Sequence, residues 1–278
     1  MSGFTLNLDN RKAKSIERDV IMYPILFKIG PLEVGTFGVM LVLAFLTSGW
    51  VARRELERHG FDGEWAWNML FAAALAGIVG ARTYFIFEHW SEFLQDPLGL
   101  LLSRGGLTWY GGFIAGIAAV VWVIHKLPAP SLKIADLVAP VILLGYAIGR
   151  IGCLLAGDGD YGPPADVPWA MAFPHGIVPT TVPVHPTPLY ETLMSLLLFW
   201  VLWKLRTRPH LPGTMVSYMM IAYGIERFVA EFWRTTPKIL FGWMSMAQIL
   251  SVLFILAGLT WLMRLRQRAR AESIASSG

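Results

Sequence analysis

A single cysteine, Cys153, among 278 residues excludes an intrachain disulfide and leaves no cysteine pair to hold a metal. The six histidines (His59, His89, His125, His175, His185 and His210) show no ligand spacing such as i and i+4. Neither a metal nor any other cofactor is therefore expected. Charge is also scarce, at 15% of residues against roughly 25% in soluble domains. The excess of +4 lies between apolar runs rather than along one helix face, which argues against a nucleic-acid partner. The short alternating segments of about ten residues that a β-barrel requires are missing too.

What is present is apolar sequence in long stretches. Hydrophobic residues make up 55% of the chain, 13% of it is aromatic, and mean hydropathy is +0.53. A helix needs about 20 apolar residues to cross a hydrocarbon core of roughly 30 Å, and the chain offers about seven such runs. They lie near 34–52, 65–87, 106–126, 134–155, 187–205, 213–233 and 244–263. The fold class expected is an all-α, polytopic membrane protein. Residues 1–21 form a polar extension with no compact apolar segment of the kind a cleaved signal carries, so the first helix is expected to act as its own insertion signal. Residues 22–265 are expected to form a single transmembrane domain, with 266–278 as a basic cytoplasmic tail.

Cytoplasmic loops collect Lys and Arg. Arg53, Arg54, Arg58, Lys126, Lys133, Lys204, Arg206, Arg208 and the arginines from Arg264 to Arg270 fall on one side, against Lys14, Arg18, Lys28, Arg104, Arg234 and Lys238 on the other. This predicts an outer N-terminus and an inner C-terminus. The one long loop, 156–186, is rich in Gly, Pro and Asp and falls on the outer side, where long loops usually carry function.

Three arginines, Arg82, Arg150 and Arg227, sit inside apolar spans two, four and six, each in the last third of its span and so at a similar depth. An Arg in a span costs at least about 2.5 to 3.5 kcal/mol on insertion scales, so it is retained for a partner or a purpose. Guanidinium forks suit phosphate, which makes an anion site the functional reading. The structural alternative is snorkelling or pairing with Glu88, Asp158, Glu191, Glu226 or Glu231, and both hold together if a carboxylate orients an Arg that also binds phosphate.

Glycines crowd two places. Gly111, Gly112 and Gly116 open span three, where small residues let helices approach closely. Gly157, Gly159 and Gly162 follow Arg150 at a density that reads as irregular backbone, with N–H groups able to face an anion or a substrate. His185-Pro186-Thr187-Pro188-Leu189-Tyr190-Glu191 opens span five: its prolines read as a helix start, while Tyr190 and Glu191 enter the apolar run. At helical spacing Tyr223, Arg227, Glu231 and Arg234 share one face of span six, and a polar stripe in a span points to protein or a cavity rather than lipid.

Gly149-Arg150-Ile151-Gly152, the HPTPLYE segment, the run from Tyr223 to Arg234, Ser245-Met246-Ala247-Gln248, Tyr23-Pro24-Ile25-Leu26-Phe27 and the paired glycines of span three resemble, in order, the prolipoprotein diacylglyceryl transferase family. The resemblance covers about residues 22–263. It implies a multi-pass enzyme of the bacterial inner membrane, acting toward the outer leaflet without a cofactor. Such an enzyme moves the diacylglyceryl group of phosphatidylglycerol to the lipobox cysteine thiol of a prolipoprotein and releases glycerol phosphate. The partners implied are that lipid and the prolipoprotein signal peptide, with the chain a monomer. Arg150 and Arg227 would stabilise the departing phosphate, and Tyr110 and Asp158 would join them as catalytic groups. Arg82, Gly111, Gly112, Gly162, His185, Tyr190, Glu191, Tyr223 and Glu231 would line the phospholipid pocket.

The chain departs from the family pattern at Tyr110, where a His often precedes the paired glycines, at Cys153 in place of Asn, at Phe37 in place of Tyr, and at Asp158 or Asp160 in place of a loop Glu. Tyr110, Asp158, Asp160 and His185 all remain candidates for deprotonating the thiol. The other readings are a divergent family member with a different donor or acceptor, and a non-enzymatic anion or lipid transporter.

Overall fold

The computed structural model describes residues 22–30, 32–102, 108–240 and 242–275. The polar extension 1–21 lies outside them. Within these residues the chain is mostly helical, and five helices are long and apolar enough to cross a membrane: Thr36–Arg58 (α1), Glu64–Glu88 (α2), Ser131–Ala156 (α6), Thr187–Leu205 (α7) and the last, Met246–Ala275 (α9). Trp109–Lys126 (α5) is a shorter apolar helix at the third expected position, and the 17-residue helix Thr214–Ala230 (α8) stands at the sixth.

The all-α expectation needs amendment. Three two-stranded antiparallel hairpins are present: Ile25–Ile29 (β1) with Leu32–Gly35 (β2), Met171–Phe173 (β3) with Thr180–Val184 (β4), and Lys238–Leu240 (β5) with Met244–Ser245 (β6). Strands of two to five residues between glycines and prolines leave too little period-two pattern to be read from sequence. Two short helices, Trp90–Gln95 (α3) and Pro97–Leu102 (α4), follow α2.

Helix ends follow local chemistry. Gly60, at φ +77°, closes α1: its N–H reaches the Glu57 carbonyl at 3.0 Å and the Phe61 N–H reaches that of Leu56 at 3.0 Å. This is the paired-bond stop that a left-handed residue permits. Asp62 then opens α2 by accepting the Glu64 N–H at 2.9 Å. At the start of α9 the Ser245 hydroxyl accepts the Gln248 N–H at 3.2 Å while the Gln248 side chain accepts the Ser245 N–H at 3.1 Å. The Ser-Met-Ala-Gln motif is thus a reciprocal capping box. The α8 helix stops at Ala230 and passes into a single 3-10 turn, Glu231–Trp233.

The chain divides into two compact units, residues 1–46 with 142–278, and residues 47–141. In the second unit α2 and α5 pack through small residues. A Cβ at Gly112 would lie 3.1 Å from the Gly77 carbonyl oxygen and one at Gly116 3.5 Å from that of Ala73, while Gly80 and Gly111 meet backbone to backbone. Helices approach this closely only where side chains are absent. In the first unit α8 and α9 do the same. A Cβ at Gly224 would stand 2.8 Å from the Ser251 carbonyl oxygen, and one at Gly258 2.9 Å from that of Ser217. The apolar centre of that unit is Leu143, Leu202, Met215, Ala222 and Tyr223, flanked by Tyr146, Phe199 and Phe254. Large apolar side chains such as Phe71, Leu75, Trp122, Leu197 and Trp200 face outward along the helices, as a lipid-facing surface requires.

Candidate active site

Arg150 projects from α6 one turn after Tyr146 and is buried. One terminal nitrogen, Nη1, donates to Asp160 Oδ2 at 2.5 Å and to Cys153 Sγ at 3.3 Å, while Nη2 pairs with Glu191 Oε2. Glu191 comes from the first turns of α7 and is wholly buried. Its Oε1 receives the Tyr146 hydroxyl at 3.3 Å, Arg227 Nη1 at 3.5 Å and Arg234 Nη1 at 3.4 Å. Three guanidiniums therefore converge on one carboxylate.

Two further carboxylates complete the network. Glu231 Oε2 pairs with Arg227 Nη2 at 2.8 Å and lies 3.9 Å from Arg234 Nε; its other oxygen accepts the Thr236 hydroxyl. Asp160 bridges, with Oδ2 on Arg150 and Oδ1 on Arg234 Nη2, each at 2.5 Å. Burial pushes the Asp160 carboxyl up, but the guanidiniums of Arg150 and Arg234 outweigh it and hold the group below its usual range. Arg150, Arg227 and Arg234 thus balance Asp160, Glu191 and Glu231 in charge. Isolated, each ion would be costly in an apolar surround; paired and hydrogen-bonded they hold one another in place.

The loop after α6 is shaped to deliver Asp160. Gly157, at φ +58°, ends α6 where a Cβ would lie 2.7 Å from the Gly176 Cα, and Gly159 follows at φ +94°. The Gly162 N–H donates to the His185 carbonyl at 2.8 Å. A side chain at Gly162 would run into the Trp233 carbonyl and lie 3.0 Å from both His185 Cβ and Thr187 Oγ1. The N–H groups of Gly162 and Asp160 are engaged within the chain, the latter on Asp158 Oδ1 at 3.2 Å. Gly162 therefore acts here as a close-approach residue.

Tyr190, one residue before Glu191, accepts Trp169 Nε1–H at 2.7 Å, lies 3.0 Å from His185 Nδ1 and packs edge-on to Trp233. Tyr223 is buried edge-on to Tyr146 and Phe254. The structure thus brings together Arg150, Glu191, Tyr223, Arg227 and Glu231, with Gly162, His185 and Tyr190 at the adjoining loop and helix start.

Arg82, Tyr110, Gly111 and Gly112 belong to the other unit. There Arg82 Nη2 donates to the Leu101 carbonyl at 2.8 Å, Tyr110 is exposed, and Gly111 and Gly112 serve the α2–α5 contact. The third guanidinium on Glu191 is Arg234, which the charge count had placed among the outer loop residues. Its position seven residues after Arg227, on the stripe already noted, was the available signal. Cys153 Sγ and the carboxylates of Asp158 and Asp160 lie within 4.8 Å of one another, but Arg150 touches two of the three and its charge opposes a cation there.

Residues 24–264 match the model of the family described as prolipoprotein diacylglyceryl transferase. The chain belongs to the prolipoprotein diacylglyceryl transferase family. A protein of Vibrio cholerae serotype O1 named phosphatidylglycerol–prolipoprotein diacylglyceryl transferase is 35% identical over 244 residues, 85% of this chain and 89% of its own. Proteins with the same name from Aliivibrio salmonicida and Aliivibrio fischeri are 34% and 36% identical, covering 92% and 85% of this chain and 92% and 87% of their own. The diacylglyceryl transferase family is one of transferases, and in the present member Arg150 and Glu191 stand on helices long and apolar enough to cross a membrane, α6 and α7.

Proposed function

We propose that the protein transfers the diacylglyceryl group of phosphatidylglycerol to the lipobox cysteine thiol of a prolipoprotein and releases glycerol phosphate. The reading places it in the bacterial inner membrane as a monomer, crossing about seven times with the N-terminus out and the site toward the outer leaflet. The observation that carries it is the convergence of Arg150, Arg227 and Arg234 on Glu191 in a chain of this family. The positions of α5 and α8 support seven crossings.

In the reaction the thiol loses its proton, and the thiolate attacks the glyceryl carbon bonded to the phosphodiester oxygen. The C–S bond forms as the C–O bond breaks, and the electron pair leaves on the phosphate. Fixed guanidiniums in a dry site stabilise that developing charge. Here the arginines are already occupied, so a phosphate has to exchange with a carboxylate. Asp160 is the one placed for this. It sits on a loop, is about a third exposed at 35%, and holds Arg150 and Arg234 with two oxygens as a phosphate would. Glu191 and Glu231, both buried, keep the guanidiniums oriented while the exchange occurs.

Asp158 is the proton acceptor this reading favours, since Asp160 serves as the carboxylate that the phosphate displaces and His185 lies against the Tyr190 hydroxyl. The parts given to Tyr110 and to the pocket residues Arg82, Gly111, Gly112, Gly162, Tyr190 and Tyr223 rest on family likeness and are open to mutagenesis. The test is direct: purified protein with phosphatidylglycerol and a lipobox peptide, the peptide weighed by mass spectrometry. A diacylglyceryl adduct is expected; its absence from folded protein in liposomes rejects the transferase reading.

A further inference from the structure

Glu226 stands apart from this network. It lies on α8 immediately before Arg227 and is only 1% exposed, yet neither of its carboxylate oxygens has a hydrogen-bond partner. The charged groups around it are Glu191, Arg227, Arg150 and Arg234, with the Tyr146 and Tyr223 hydroxyls also near. None of these comes within bonding distance. The three guanidiniums are already matched by Asp160, Glu191 and Glu231, so Glu226 is not required as a counter-ion. An interior carboxylate without a donor is costly to keep.

Two free acceptor oxygens beside a set of guanidiniums suited to phosphate call for donors that arrive together with a phosphate. Hydroxyl groups on the far side of a phosphodiester meet that description. We propose that Glu226 accepts hydrogen bonds from the hydroxyls of the glycerol headgroup, and so makes the site select a polyol phosphodiester over one that lacks hydroxyls. The proposal rests on the lipid-donor reading above. Its physical basis is the asymmetry of polar sites: a site built to bond a hydroxyl rejects the analogue without one, because a buried polar group is then left unpaired.

The experiment compares phosphatidylglycerol with phosphatidylethanol, which has the same charge and no headgroup hydroxyl. Binding of each to the full-length protein in nanodiscs is measured by native mass spectrometry. The wild-type protein is expected to prefer phosphatidylglycerol by about tenfold or more, the size of leaving one buried polar group unpaired. In E226L the preference should shrink to within about twofold, and in E226Q, which keeps one acceptor, to an intermediate value. An undiminished preference in E226L overturns the proposal. If E226L does not fold, an undiminished preference in E226Q does so instead. Tighter wild-type binding of phosphatidylethanolamine than of phosphatidylglycerol also overturns it, by pointing to an ammonium group. Binding preference without any peptide adduct would count against the transferase reading alone; adduct without binding preference would count against the role of Glu226 alone.

Discussion

Arg150 touches Asp160, Glu191 and Cys153 at once, and among the described residues no other side chain spans all three. Lysine keeps the charge but offers a point donor in place of a planar fork. R150K is expected to lower turnover about a hundredfold or more, in line with loss of a transition-state donor, as measured by adduct formation per unit of folded enzyme. R150A should in addition destabilise the protein by about 3 to 5 kcal/mol, since it leaves Glu191 buried short of a partner; thermal unfolding in detergent checks this. Asp160 yields a pH prediction. Its carboxyl is held below the ordinary 3.8, so its ion pairs contribute fully above that value and are lost only as pH falls through the lower folded-state value. Wild-type stability should therefore show a steeper acid-side decline below about pH 4 than D160N does, in unfolding midpoints measured from pH 2 to 7. Arg150 and Arg227 were legible in the sequence because a charge inside an apolar run is conspicuous by its cost. Asp160 was named only as a possible proton acceptor and not as a partner of the arginines: the end of α6 and a glycine-rich turn separate it from Arg150, and the turns at Gly157 and Gly159 bring it back. Nor could spacing show that Glu226, among several carboxylates, would be the one left without a partner.

Among the elements, the long helices were the most legible because each carries an apolar run; the six-residue helices α3 and α4 were not, and the stops and caps at Gly60 and Ser245–Gln248 emerged only from the structure. The hairpins were not legible either, since their pairing depends on loop closure rather than on a repeating pattern. The loop after α6 joins both cases: its glycines were visible, but their purpose differs from an anion cradle. Gly162 gives the test. G162A would press a methyl group against the Trp233 carbonyl and His185 Cβ, displacing the loop that carries Asp160. A loss of about 1 to 3 kcal/mol in stability, the usual cost of overpacking, is expected together with reduced turnover. Thermal unfolding and the adduct assay read the two effects.

For the whole molecule, the positive-inside distribution makes a topological prediction. Asp166, exposed in the loop before β3, should face outward and Thr207, exposed between α7 and α8, inward. With Cys153→Ala as background, D166C in intact spheroplasts is expected to react with a membrane-impermeant maleimide and T207C only after permeabilisation. The reverse pattern would invert the orientation. The length of α9 bears on the same point: its 30 residues span about 45 Å at 1.5 Å each, beyond a hydrocarbon core of roughly 30 Å. The surplus turns carry Arg264, Arg266, Arg268 and Arg270 clear of the apolar zone.

The lone thiol has a practical consequence. Cys153 Sγ lies 3.3 Å from the same Arg150 nitrogen that holds Asp160, so the unmodified polypeptide contains its own occupancy gauge. Small neutral alkylating reagents should consume this thiol slowly, more slowly still when phospholipid fills the site, and faster when D160N loosens the loop. The rate at which one mass increment appears would then report on ligand entry without any label being engineered.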